Sequence, residues 1–168
     1  MVISAIAAYS KNRCIGRNND IPWDIPADMR YFMRTTLGHY IIMGRKNLEA
    51  MNNRPLPRRT NIVMSRQEGF KAKGCVVVQS MKEALALAEF NGEEEVFIIG
   101  GGEIYKLALE QNVIDRLYLT ELDLEVQECS VFFPEFDLSE WKEVSRKEGV
   151  IDEKNTVAQT YLIYEKRR

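Results

Sequence analysis

The chain reads as a single α/β domain: a central, mostly parallel twisted sheet with flanking helices and an antiparallel C-terminal hairpin. Through the first two thirds, short and nearly continuous apolar runs alternate with helical patterns, as expected for parallel strands covered on both faces. Beyond residue 116 the strand-like runs follow one another through polar loops, with no obvious helix between them. The length of 168 residues and 45% apolar content suit one domain with a substantial core, and no repeat, low-complexity segment or linker divides it.

Val2 to Ala8 is a short, nearly continuous apolar run that belongs near the sheet centre. Tyr9 to Pro26 is long, polar and broken by Gly16, Asn18, Asn19 and two prolines, and a connection of that length without periodicity is usually functional or disordered. A helix follows from about Ala27 to Leu37, ended by Gly38. Tyr40 to Met43 is a second buried strand, and Gly44-Arg45-Lys46 opens a short helix to about Met51. Thr60 to Ser65 and Cys75 to Val78 are further strands, and Ser80-Met81-Lys82-Glu83 is a capping box ahead of the helix Ala84 to Phe90. Val96 to Ile99, Gly100-Gly101-Gly102 and the segment from Glu103 to Leu109 form strand, glycine turn and helix. Arg116 to Leu122, Val131 to Phe133, Trp141 to Arg146 and Val157 to Glu165 complete the strands.

Composition narrows the chemistry. A net charge of -2 gives no general attraction to nucleic acid or an anionic membrane. No apolar run approaches a membrane span, and the amino end lacks the basic start of a signal peptide, so a cytoplasmic location is expected. The odd number of cysteines, Cys14, Cys75 and Cys129, with no C-x-x-C pair, is read as three free thiols and no zinc site. A single histidine, His39, leaves no histidine-rich metal centre, and acid–base chemistry falls to a carboxylate.

That carboxylate is Asp28. Pro22 and Pro26 shape the approach, and Phe32 and Thr35 share its helix face with Met29 and Met33 alongside. Local rules make Asp28 an ordinary acidic residue at a helix start, yet a carboxylate on an apolar side is at least partly buried. In parallel sheets ligands lie beyond the carboxyl ends of the strands, here Ala8, Gly44, Ser65 and Gly100. The glycine turn followed by a helix suits an anion such as a pyrophosphate, although Tyr105 stands where a dinucleotide fingerprint has its last glycine. Arg45, Lys46 and Arg66 place cations just past two strands, where a terminal phosphate would be held. Arg54, Arg58 and Arg59 form a second basic cluster.

Read together and in order, Ile15-Gly16, Ile21-Pro22-Trp23, Pro26-Ala27-Asp28, Ile42-Met43-Gly44-Arg45, Arg54-Pro55-Leu56-Pro57, Ile98 to Tyr105, Leu117 to Thr120 and Phe132-Phe133-Pro134 resemble the bacterial dihydrofolate reductase family from end to end. The resemblance implies NADPH as cofactor, no metal, dihydrofolate as substrate, antifolates as inhibitors and a monomer. It implies a catalytic set of Asp28, Thr120, Tyr105 and Trp23, with Asp28 receiving the pterin's N–H groups and Thr120 supporting that contact. Substrate would meet Ile6, Ala8, Ile21, Phe32 and Ile99, with Arg59 pairing the carboxylate of the glutamate tail. Cofactor would meet Ala8, Ile15, Gly44, Arg45, Lys46, Asn47, Met64, Ser65, Arg66, Gly100, Gly101, Gly102, Glu103, Ile104 and Tyr105, with a cis peptide between Gly100 and Gly101.

The chain departs from the family pattern at four places. Asn47 replaces a threonine, Arg58 replaces a glycine, Glu103 sits beside the expected pyrophosphate, and Gln127 to Val131 lacks the usual Gly-Asp-Thr of the loop that steadies the closed lid. Two other classes compete: a reductase of another pterin or a riboflavin precursor, and a non-catalytic nucleotide or nucleic-acid binding module. The presence of both Asp28 and Arg59 favours folate over the first, and the acidic pI of about 5.6 weighs against the second.

Overall fold

The computed structural model describes residues 1–168. Ten strands and four helices follow in the order β1 (Val2–Tyr9), β2 (Cys14–Gly16), α1 (Pro26–Thr36), β3 (Tyr40–Gly44), α2 (Arg45–Ala50), β4 (Thr60–Met64), β5 (Cys75–Val78), α3 (Met81–Phe90), β6 (Glu95–Gly100), α4 (Gly102–Glu110), β7 (Arg116–Leu122), β8 (Val131–Phe132), β9 (Trp141–Glu148) and β10 (Gln159–Lys166). The main sheet has eight strands in the order β5-β4-β3-β6-β1-β7-β10-β9, while β2 and β8 form a separate two-stranded ribbon. Only β10 runs against the others: it pairs antiparallel with β7 and with β9. No helix is long and apolar enough to cross a membrane.

The apolar run of β1 lies near the middle because it pairs in parallel on both edges, with β6 and with β7. Its residues divide between two cores, as the period of two in a strand requires. Ala5, Ala7 and Tyr9 join Ile42, Ile62, Ile98, Met81 and Ala88 on the face covered by α3 and α4. Ile6 joins Ile41, Met43, Val63, Phe97 and Leu48 on the face covered by α1 and α2.

Local chemistry sets the helix ends. Ser80 accepts from the Glu83 N–H at 3.1 Å, while Glu83 reaches back to the Gln79 N–H instead of to Ser80's own, so the expected capping box forms one residue out of register. At α1, Pro26 has no N–H to satisfy. The next two donors are met by Asn155 Oδ1, at 2.7 Å from Ala27 N, and by the Ile25 carbonyl, at 3.0 Å from Asp28 N. The Asp28 side chain makes no cap hydrogen bond.

One expectation fails. Cys14 and Cys129 are joined by a disulfide with a Cα–Cα separation of 5.9 Å, and Cys75 alone is a free thiol. The odd count concealed the pair, because Cys14 and Cys129 lie 115 residues apart and only the β2–β8 ribbon brings them together. Cross-linking so long a loop removes chain entropy from the unfolded state, worth about 4 to 5 kcal/mol in the loop-closure account. The same ribbon shortens the expected strand Val131 to Phe133, since Phe133 turns into the core and is 2% exposed.

Arg58 holds φ of 57°, in the left-handed region where a side chain is crowded and glycine is not. Its charge also lowers the pKa of neighbouring Arg59, after the larger effect of burial. Arg58→Gly is expected to stabilise the fold by about 0.5 to 1 kcal/mol, roughly 1 to 3 °C in the midpoint of thermal unfolding measured by calorimetry.

Candidate active site

The strand register lines up the carboxyl ends along one edge. Gly44 lies opposite Met64, Met64 opposite Val78, and Met43 opposite Gly100. On the other side of β6, Ala8 of β1 lies opposite Thr120 of β7, and Thr120 lies opposite Tyr161 of β10. A cleft of about 1440 Å³ runs along this edge. Sites for one drug-sized ligand occupy about 300 to 1,000 Å³, so this one has room for two elongated molecules side by side.

All but two of the residues assigned from sequence to the catalytic, substrate and cofactor sets line the cleft. Ile6, Ala8 and Ile99 form its floor, Asp28 and Phe32 of α1 one wall, and Ile15, Ile21 and Trp23 the loop across it. Gly44, Arg45, Lys46 and Asn47 at the start of α2, Met64, Ser65 and Arg66 after β4, and Gly101 to Tyr105 of α4 form the other half, and Thr120 closes the deep end. Gln79 and Ser80 also line it. They follow β5 directly, so extending the strand-end rule to Val78 would have found them.

The two exceptions have clear placements. Gly100 lies behind the cleft surface, with φ of 111° and a cis peptide to Gly101, and a Cβ there would meet the Tyr105 ring at 3.0 Å. Arg59 sits behind Met33 and Pro57, which do line the cleft. Its guanidinium donates to Met33 O and Pro57 O, each at 2.6 Å, and to Thr36 Oγ1 at 2.9 Å. The cation is thereby held at the carboxyl end of α1, where the helix dipole favours it.

Asp28 faces the cleft. Burial drives its carboxyl pKa up to about 6, and a hydrogen bond from Thr120 offsets part of that rise. With the donors at the start of α1 already satisfied, the carboxylate is left for a ligand. Asn155 makes this possible, and no local pattern in the chain marks it. It is 2% exposed, and its Nδ2 and backbone N both donate to Asp152 Oδ1, which fixes the side chain that holds Ala27. Tyr31 and Tyr161 pack against each other near Asp28, tilted at 47° with ring centroids 4.4 Å apart, and each phenol's pKa is raised chiefly by burial.

Tyr105 lines the cleft with its hydroxyl engaged. Its hydroxyl donates to Ile6 O at 2.6 Å, and burial pushes its pKa upward, so the phenol is a neutral brace between α4 and β1. Glu103 is exposed in the first turn of α4, where solvent screens its carboxylate from the backbone N–H groups of Gly101 and Gly102. No neighbouring atom lies within 4 Å of where a Gly101 side chain would begin. The glycine turn is therefore open to a ligand's oxygens.

The lid loop is fastened to the segment between β7 and β8. Asn12 Nδ2 donates to Val126 O and its Oδ1 accepts from Val126 N; Arg17 donates to Gln127 O at 3.1 Å; and Ser130 N donates to Gly16 O at 3.1 Å. With the disulfide, these bonds tie the loop across the cleft to the segment between β7 and β8.

Fold and cleft together define an α/β protein whose strand ends open on one long cleft, with a half-buried carboxylate in one wall and cations and a glycine turn in the other. The comparisons agree. A family model described as dihydrofolate reductase matches residues 2–166. The chain is 45% identical to the dihydrofolate reductase of Bacillus subtilis (strain 168), over 99% of this chain and 95% of that one, and 44% identical to that of Staphylococcus haemolyticus, over 99% and 96%. Among solved structures, the dihydrofolate reductase of Enterococcus faecalis complexed with NADP(H) and RAB-propyl superposes with a TM-score of 0.92 at 35% identity, covering 99% of this chain and 97% of that one. The chain belongs to the dihydrofolate reductase family.

The raised Asp28 pKa sets a stability prediction. The folded pKa, about 6, exceeds the ordinary 3.8, so the neutral carboxyl is favoured in the fold; that contribution is full below 3.8 and is lost as pH rises through 6. At pH 7.5 ionisation costs the unliganded fold up to about 3 kcal/mol. Asp28→Asn, which cannot ionise, is expected to melt several degrees above the parent at pH 7.5 and level with it near pH 4, measured by calorimetry across pH. Asn155→Ala leaves the Ala27 N–H buried without a partner. It is expected to destabilise the fold by about 1 to 2 kcal/mol in denaturant unfolding.

Proposed function

We propose that this chain reduces 7,8-dihydrofolate to 5,6,7,8-tetrahydrofolate with NADPH, by hydride transfer to C6 and protonation at N5. The observation that carries this reading is Asp28: a half-buried carboxylate, relieved of any capping duty, aimed from an apolar helix wall into a cleft with room for two ligands. Among recognition chemistries, a carboxylate in such a place suits a planar ring that presents paired N–H donors, because two charged hydrogen bonds in a fork offset the desolvation.

NADPH fits the other half of the cleft. Arg45, Ser65, Arg66 and Ser80 stand together at adjoining strand ends, where a terminal phosphate would be held, and the open space beside Gly101 at the start of α4 suits the pyrophosphate. When bound, this cofactor supplies the hydride. The protein's own work is positional and electrostatic. Asp28 receives the pterin's N–H and amino groups, and Thr120 keeps its carboxylate in place. Ile6, Ala8, Ile99 and Phe32 exclude bulk water from between the rings, while Ile21 and Trp23 cover them from the lid. Tyr105 fixes the carbonyl end of β1 that meets both rings, and we assign the N5 proton to water, since the phenol is already committed to Ile6 O.

Arg59, held by Met33, Pro57 and Thr36, would pair with the substrate's tail carboxylate beyond the Met33–Pro57 rim through the guanidinium N–H groups that those bonds leave free. An antifolate that presents the same N–H fork would compete at Asp28. Loss of NADPH absorbance on adding dihydrofolate tests the assignment, with NADH and a pterin lacking the glutamate tail as comparisons; the tailless pterin is expected to raise KM more than it lowers kcat. Asp28→Asn is expected to retain NADPH binding and to lose at least about a hundredfold in turnover at pH 7. Undiminished turnover in that variant would overturn the role of Asp28.

A further inference from the structure

We infer that Cys14 and Cys129 form a reversible thiol–disulfide site that sets how firmly the lid is held over the cleft. The two sulfurs differ in their surroundings. Cys14 is fully buried, and its backbone N–H donates to Ser10 Oγ at 2.9 Å, so it belongs to the body of the domain. Cys129 is half-exposed on the turn between β7 and β8, just after Glu128, whose φ of 54° is left-handed. The bond thus anchors an outer turn to a fixed point.

That turn in turn holds the lid. Ser130 donates through both its N–H and its hydroxyl to Gly16 O, and the Gln127 carbonyl accepts from Arg17. On the cleft side, Val131 packs under Gly16 and Gly102, where an added Cβ would meet it at 3.5 Å and 2.8 Å respectively. The eight strands of the main sheet pair without help from the disulfide, which joins only the two-stranded ribbon. Breaking it leaves the core intact and loosens one loop together with the lid segment it carries.

The chemistry is ordinary exchange with a small dithiol. A thiolate of the reductant attacks the accessible Cys129 sulfur, the Cys14–Cys129 bond breaks, and Cys14 leaves as a thiolate that takes up a proton. The reductant's second thiol then displaces Cys129 from the mixed disulfide. Two electrons and two protons pass to the protein's thiols, and the dithiol becomes a cyclic disulfide. A small-molecule disulfide such as oxidised glutathione drives the reverse.

The functional consequence rests on the reading of the cleft as an NADPH site, so the test has one readout that does not depend on it. Ligand-free protein is treated with oxidised glutathione or with dithiothreitol, and thiols are titrated under native and denaturing conditions. One thiol, Cys75, is expected after oxidation and three after reduction. Trypsin cleavage after Arg17 is expected to accelerate about fivefold on reduction, as a local opening becomes easier. In Cys129→Ser that fast rate should persist under both treatments. The same treatments are expected to speed NADPH dissociation, followed by stopped-flow displacement, about fivefold on reduction of the parent and not at all in Cys129→Ser. Three thiols after oxidation, or equal Arg17 cleavage in the two states, would overturn the redox site. Thiol and cleavage changes without any NADPH binding would leave the redox site standing and count against the assignment of the cleft.

Discussion

The pairing of β1 on both of its edges is the constraint on which the rest depends. A parallel strand paired on both sides is covered by helices above and below, so its sequence is apolar but for Ser4, whose hydroxyl donates to Glu95, and its carboxyl end is the part free to meet a ligand. The register then does the work of assembly. Ala8 beside Thr120, and β3 and β4 ending level with β5 and β6, place the floor, the deep end and the cationic end of the cleft in one row. Residues as far apart in the chain as Ile6 and Tyr105 are joined there by a hydrogen bond.

Against this rigid row the sheet holds an electrostatically unfavourable group. Asp28 loses hydration by standing in the apolar wall, and in the unliganded protein only the Thr120 hydroxyl offsets that loss. The arrangement persists because α1 is fastened elsewhere: Asn155 from the loop before β10 caps its start, and Arg59 binds the Met33 carbonyl and the Thr36 hydroxyl in its last turn. A ligand that brings N–H donors to the carboxylate replaces the missing water and recovers what the fold gave up. Stability and recognition are opposed at this residue and aligned at its two clamps.

Much of this was legible in the sequence, for identifiable reasons. The glycine turn, the cations after β3 and β4, and Asp28 on an apolar helix face all follow from local spacing, and the structure gathers them along one cleft. What local spacing does not carry is long-range partnership. Asn155 is an unremarked polar residue until the β9–β10 loop folds back onto α1, and Cys14 and Cys129 look unpaired until β2 meets β8. Tyr105 was legible as a cleft residue, but its bond to the Ile6 carbonyl depends on how α4 docks on β1. The left-handed Arg58 shows the same limit, since a residue type unsuited to its backbone is visible only once the backbone is known.

The placement of β1 also governs how the molecule is made. Its partners, Glu95 to Ile98 and Arg116 to Glu121, are synthesised long after it, so this apolar segment leaves the ribosome well before the neighbours it pairs with. A nascent chain must carry Val2 to Tyr9 unpaired until most of the domain has emerged, a stretch well suited to chaperone capture and to aggregation. Shortening the chain from the carboxyl end past β7 would leave that segment with one bare edge. The centre of the finished sheet is therefore the most vulnerable stretch of the unfinished one.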